Sequence, residues 1–166
     1  MPSVTHLVGR FAGSLSPRPP SRADESWAES HLSEAERLLW RSMSNPDRRH
    51  AIGVARRTIA ALDDDLTRPV VAAALLHDAG KVVAGLGTFG RVEATLWSMV
   101  RGRSKASAGE GAVARYLRHD ELGADLLEQA GSDALIIAWT REHHRPASSW
   151  SVAPELAHVL KAADGD

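Results

Sequence analysis

Leu75-Leu76-His77-Asp78-Ala79-Gly80-Lys81 closes a run, from Val70, made almost entirely of Val, Ala and Leu. Good helix formers that are apolar on every side predict a buried helix rather than a surface one. That helix then ends on an adjacent imidazole and carboxylate, and burying such a pair without a partner is costly. A metal ion removes the cost, because neutral His and ionised Asp are both ordinary ligands. An isolated His-Asp pair is weak ground for a metal site, since helices often end in polar residues. The reading therefore turns on where the other histidines fall.

Composition narrows the chemistry. A chain of 166 residues is long enough to bury one real core. The N-terminal 1–30 reads as a short helix and Pro-rich arm, and 31–166 as the domain proper. Twenty basic residues against 21 acidic, net −1, give no electrostatic sign of a nucleic-acid polymer as partner. There is no cysteine, which excludes disulfides, thiolate zinc sites and cysteine nucleophiles. Any metal must be held by imidazole and carboxylate. Such ligands suit iron, manganese, cobalt, nickel or zinc. No apolar run is long enough for a membrane span, and the N-terminus lacks the apolar core of a signal peptide, so the expected location is the cytoplasm.

Outward from the central run, helical patterning dominates. Val4, Leu7, Val8, Phe11 and Leu15 have helical spacing, and Ser16-Pro17-Arg18-Pro19-Pro20 stops them. This helix would dock on the domain or on a neighbouring subunit, which leaves a homo-oligomer open. Ser33-Glu34-Ala35-Glu36 is a capping box. Asn45-Pro46 is expected to cap and open the next helix, which carries His50 beside the apolar Ile52, Ala55, Ile59 and Leu62. Thr67 is expected to cap the central helix. Gly85, Gly87 and Gly90 match G-x-G-x-x-G, but no strand or βαβ unit surrounds them, so a loop over Val82–Thr88 is the better reading. Helices are expected over 89–101, 107–118 and 120–130, then from Ser132 as cap to about His143, and from Pro154 to Asp164. No segment alternates like a strand. The fold class is all-α.

His50, His77, Asp78, His119, His143, His144 and Asp164 sit at the ends or half-buried edges of these apolar helices. Taken singly, each reads more simply as a satisfied or solvated side chain. Spread over separate helices of one all-α domain, they are the ligand types a cysteine-free metal site needs. His6, His31 and His158 lie outside the set.

With those residues in place, the chain resembles the HD superfamily of metal-dependent phosphohydrolases, whose signature is H…HD…D on a helical core. Arg49-His50 followed by Val54-Ala55 is similar to the family's first helix. Leu76-His77-Asp78-Ala79-Gly80-Lys81 resembles its defining motif, and Lys161-Ala162-Ala163-Asp164 its last ligand. His119-Asp120-Glu121-Leu122-Gly123-Ala124 and His143-His144 resemble the extra histidines of dinuclear members, including the HD-GYP group. The Gly-Tyr-Pro segment is replaced by Arg145-Pro146-Ala147-Ser148, which argues against cyclic dinucleotide hydrolysis. Pro46 stands where some members place a further carboxylate, which argues against a third metal.

The resemblance implies two divalent transition-metal ions. The first would take His50, His77, Asp78 and Asp164. Asp78 would bridge to a second held by His119 and His143, with His144 a ligand or a hydrogen-bond donor behind one. It further implies hydrolysis of a small phosphate ester, a nucleotide or related phosphometabolite, by a metal-activated hydroxide. Asp78 and Lys81 would be catalytic, and Lys81 and Arg145 would contact the phosphorylated small-molecule substrate, with Arg49 a weaker candidate. Two alternatives remain: a diiron oxygenase on the same core, and a non-catalytic HD module that serves as a binding surface.

Overall fold

The computed structural model describes residues 18–62, 66–84 and 111–165, and every regular element among them is helical. In chain order these are α1 (Arg22–Ser30), α2 (Glu34–Ser42), α3 (Asn45–Leu62), α4 (Arg68–Leu76), α5 (Lys81–Ala84), α6 (Ala112–Leu117), α7 (His119–Gln129), α8 (Ala134–Glu142) and α9 (Pro154–Asp164). A single 3₁₀ turn, Ala147–Ser149, stands between the last two. The expected helix before Ser16, the Gly85/Gly87/Gly90 loop, the 89–101 helix and the first part of 107–118 lie outside the described residues.

Alpha-4 is the axis. Every residue from Val70 to Leu76 is buried, and the helix packs between α3 on one side and α8 on the other. Alpha-9 packs on α3, and α7 on α8. Ala72, Ala73 and Ala74 are fully buried, and side chains that small let neighbouring helices approach from all round. Trp139, Leu127, Ile136 and Leu160 fill the space between.

Caps account for where the helices begin. The predicted box on α2 is present: Ser33 Oγ accepts from Glu36 N–H (3.3 Å) and Glu36 Oε2 from Ser33 N–H (2.7 Å). Two expected caps are displaced by one residue. Ser44, not Asn45, caps α3, its Oγ accepting from Asp47 N–H (3.3 Å), which moves Pro46 to the second helical position. That position also needs no N–H, so the proline is still tolerated. Asp133, not Ser132, caps α8 by accepting from Leu135 N–H (2.9 Å). A carboxylate also complements the positive end of the helix dipole, which a serine does not. Thr67 does sit at the cap of α4, though its hydroxyl makes no capping bond. Val82–Ala84, expected as loop, continues from Lys81 as the turn α5.

Alpha-1 falls where the apolar pattern marked no element. Its Ser21 cap accepts from Asp24 N–H (3.1 Å), and Ala28 reaches the core. Polar contacts tie it and α2 to the rest. Trp40 Nε1–H donates to Glu25 (2.9 Å), Arg48 pairs with Glu25 (2.9 Å), and the fully buried Glu36 pairs with Arg68 (3.1 Å). No helix among the described residues is long and apolar enough to cross a membrane.

Trp40 is fully buried, whereas Leu38 on the same helix is 66% exposed. Trp40→Ala should cost about 3–5 kcal/mol in urea unfolding. Leu38→Ala should stay within about 0.5 kcal/mol. Equal losses would mean that α2 does not pack as described.

Candidate metal centre

The site forms because helix ends, not helix middles, converge. His77-Asp78 follows the last turn of α4, His143-His144 that of α8, and Asp164 is the final residue of α9. His119 opens α7, and His50 lies in the second turn of α3. Helix C-termini present unsatisfied carbonyls and the negative pole of the dipole, a setting that favours cations.

Those carbonyls also orient the rings. His77 Nδ1–H donates to Ala74 O (2.9 Å), His119 Nδ1–H to Tyr116 O (2.7 Å) and His143 Nδ1–H to Thr140 O (2.9 Å). A carbonyl only accepts, so in each ring Nδ1 carries the hydrogen. Neutral, each ring then turns a lone pair on Nε2 inward. A backbone-held Nδ1–H behind Nε2 is the usual support of a metal-ligating histidine.

Asp78 lies where the rings meet, 3% exposed. Its two oxygens face different partners. Oδ2 is 3.5 Å from His77 Nε2, while Oδ1 is 3.2 Å from His119 Nε2 and 4.0 Å from His143 Nε2. Asp164 Oδ1 is 2.9 Å from His50 Nε2 and 3.5 Å from His77 Nε2. Two groups result, each offering ligand atoms within 4.8 Å of one another: Asp78, His119, His143 and His144, and His50, His77 and Asp78. Asp78 belongs to both, and Asp164 touches the second through His50 and His77.

The donor chemistry fits metal ions. Among the described residues, His143 Nε2 and Asp164 Oδ2 are buried with no hydrogen-bond partner, an arrangement that costs free energy unless a further group supplies the contact. His144 Nε2 and His119 Nε2 face each other at 3.3 Å. With its Nδ1 already protonated, a neutral His119 offers only a lone pair there, so a proton or a cation must lie between the two rings. The buried His/Asp group can hold metal ions.

An HD domain matches residues 48–165. This chain belongs to the HD-domain family. No match was found among curated proteins or among solved structures. The HD-domain match starts just before His50 and ends just after Asp164, so all the candidate ligands fall within it.

The local field explains the charge states. Burial opposes ionisation of Asp78, yet the Lys81 ammonium, then His77 and His119 when each carries a second ring proton, hold its carboxyl well below the usual range. Burial likewise works against a charge on His77, but Asp78 and Asp164 outweigh it and push the ring up to about 9. The same negative field would attract a divalent cation. Burial, then the neighbouring His144 and His77, hold His143 well below the ordinary value for an imidazole. A ring that resists protonation keeps its Nε2 lone pair available for a metal.

Lys81 is not simply turned toward open solvent. Its Nζ lies 2.5 Å from Asp78 Oδ2, and Asp78, Tyr116 and Asp47 outweigh burial to raise its pKa. Arg145 is exposed on the turn after His144. Of the histidines outside the set, His31 and His158 bond to backbone carbonyls of their own helices, and His6 lies outside the described residues.

Three supporting residues escaped the sequence reading. Asp47 is buried at 8% exposure and accepts from Ser44 Oγ (2.5 Å) while adding negative charge near Lys81. It follows directly on Pro46, the position that looked empty of a carboxylate. Glu142 accepts from Ser151 N–H (2.6 Å) and Oγ–H (2.7 Å), and Trp150 Nε1–H donates to the carbonyls of Glu142 and Arg145. These bonds pin the turn that carries His143-His144. An isolated Glu or Trp gives no signal of such a role.

Gly80 sets the spacing between the two halves of the site. A Cβ there would lie 1.8 Å from His119 O and 2.5 Å from Gly123 N. The turn after Asp78 thus packs backbone to backbone on α7, which places His119 against Asp78. Gly80→Ala should drive them apart and destabilise by about 1–3 kcal/mol, an overpacking cost. The check is the midpoint of thermal unfolding, and an unchanged midpoint would contradict this close approach.

Proposed function

We infer that the protein is a metal-dependent phosphohydrolase with a dinuclear centre, acting on a small phosphate ester such as a nucleotide or related phosphometabolite. One observation carries the reading: the two oxygens of Asp78 face separate sets of imidazoles, with His77 beside one oxygen and His119 and His143 beside the other. A carboxylate so placed suits a bridge between two cations. On this reading His50, His77, Asp78 and Asp164 hold the first ion, and Asp78, His119, His143 and His144 the second. Two divalent ions bound there would polarise a phosphoryl group and bring the pKa of a water toward neutrality.

The chain's own groups have defined tasks in this proposal. Nδ1–H bonds to helix carbonyls keep His77, His119 and His143 from turning away as charge shifts. Lys81 brings a cation to the rim; an ammonium has three N–H donors, and one directed at Asp78 leaves others for a phosphoryl oxygen. Arg145, exposed just past His144, would contact the more distant part of the substrate.

Metal content of protein purified without chelator tests the centre. About two ions per chain are expected in the wild type, falling to about one in His119→Ala, with Asp78→Asn losing both. Phosphate-ester hydrolysis should follow metal content and proceed equally without oxygen. Oxygen-dependent turnover with iron alone would favour the oxygenase, and absence of bound metal after reconstitution would favour the binding module.

A further inference from the structure

A cavity of about 280 Å³ lies between α3 and α9, lined by Arg49, His50, Gly53, Arg57 and the stretch from Ala162 to Gly165. Arg49, Gly53 and Arg57 are spaced four apart, so they form one stripe along α3 and the glycine separates the two guanidinium side chains. Arg57 is exposed and Arg49 half-buried. Arg57 Nε–H donates to Ala163 O (2.7 Å), which anchors the guanidinium across to α9. Both of its Nη groups have no partner among the described residues. Such a group, fixed at one nitrogen with paired N–H donors left over, is built to take the oxygens of a phosphate or carboxylate.

Gly53 bears on the same point. Glycine inside an 18-residue helix is a destabilising choice. A Cβ at this position would come within 3.2 Å of Arg57 Nη1 and take up room on the cavity side of the helix. The opposite wall is made of the small residues Ala162, Ala163 and Gly165. The carboxylate in the lining, Asp164, has its Oδ1 held by His50 and His77 and its Oδ2 buried, and two guanidinium groups line the same cavity. His50 and Asp164 belong at once to this wall and to the candidate centre. An anion seated between the arginines would therefore lie within a small molecule's span of that centre.

We propose that this cavity binds a phosphate-class anion and, resting on the function inferred above, that it receives a second anionic group of the substrate, separate from the phosphoryl group that reacts. The substrate would then carry at least two anionic groups. A compound with only one would leave the arginine stripe unused.

The test uses the full chain as purified, with metal content determined for each variant. Calorimetric titration with inorganic phosphate should show binding to wild type that weakens about tenfold or more in Arg57→Gln and in Arg49→Gln, with metal content unchanged. Unaltered phosphate affinity in both variants overturns the pocket. To tell a substrate group from a free anion, the KM of Arg57→Gln is compared with that of the wild type for 4-nitrophenyl phosphate and for a bisphosphate ester. A rise in KM confined to the bisphosphate supports the proposal. An equal rise for both esters, or none for either, overturns the assignment to a second substrate group. If no ester is hydrolysed or no metal is bound, the inferred function fails, and the phosphate titration alone then decides whether the anion pocket stands.

Discussion

Asp78 is a carboxylate held almost wholly out of water, just past a helix whose residues from Val70 to Leu76 are all apolar and buried. Its effective desolvation cost is on the order of several kcal/mol. The surroundings meet that cost with groups from three directions: Lys81 from the next turn, His77 from its own motif, and His119 from α7. Removing any one would leave a buried charge less well compensated, so the packing of α4, α5 and α7 and the ionisation of one side chain depend on each other. The same arrangement explains why the site is polar only at its centre. Beyond the inward-facing Nε2 atoms, the rings rest on Trp139, Tyr116 and one another.

Close approach makes this possible. Helices of ordinary bulk would keep their ends too far apart for one carboxylate to meet histidines from neighbouring helices. Here the buried alanines of α4 and the Gly80–Gly123 contact bring backbones together. Rigidity is supplied behind the site. The Nδ1 bonds use carbonyls left over at helix ends, and Glu142 with Trp150 secures the turn after α8. Groups that helix geometry leaves unsatisfied are thereby used to aim the rings. A cluster held from behind leaves its inward-facing atoms free to hold metal ions.

The α1–α2 pair plays a different part. It adds Trp40, Leu32 and Ala28 to the core and is joined to α3 and α4 by Glu25, Glu36, Arg48 and Arg68. Its ion pair through Asp24 reaches Arg56, beside the arginine that lines the cavity. Alpha-3 is therefore fixed on both flanks, by α1 on one and α9 on the other. That matters because α3 carries His50 and the Arg49–Gly53–Arg57 stripe on neighbouring faces.

The all-α class, the burial of α4 and the HD-domain family were legible from local information: composition, helical spacing, a capping box and motifs a few residues long. Such features act within a turn or two of chain, so the sequence by itself determined them. His50, His77, Asp78, His119, His143, His144 and Asp164 could be picked out because polar residues at the ends of apolar helices stand out by contrast. Tertiary structure alone decided how they meet. Asp78 and His119 are brought together across the Gly80–Gly123 contact, and His50 meets Asp164 through the packing of α9 on α3. The Lys81–Asp78 pair, the buried charge of Asp47, the Glu142–Ser151 bonds and the cavity between α3 and α9 depend equally on side-chain direction. Spacing along a chain reports which face a residue shares, whereas distances between faces arise only when the helices close on one another.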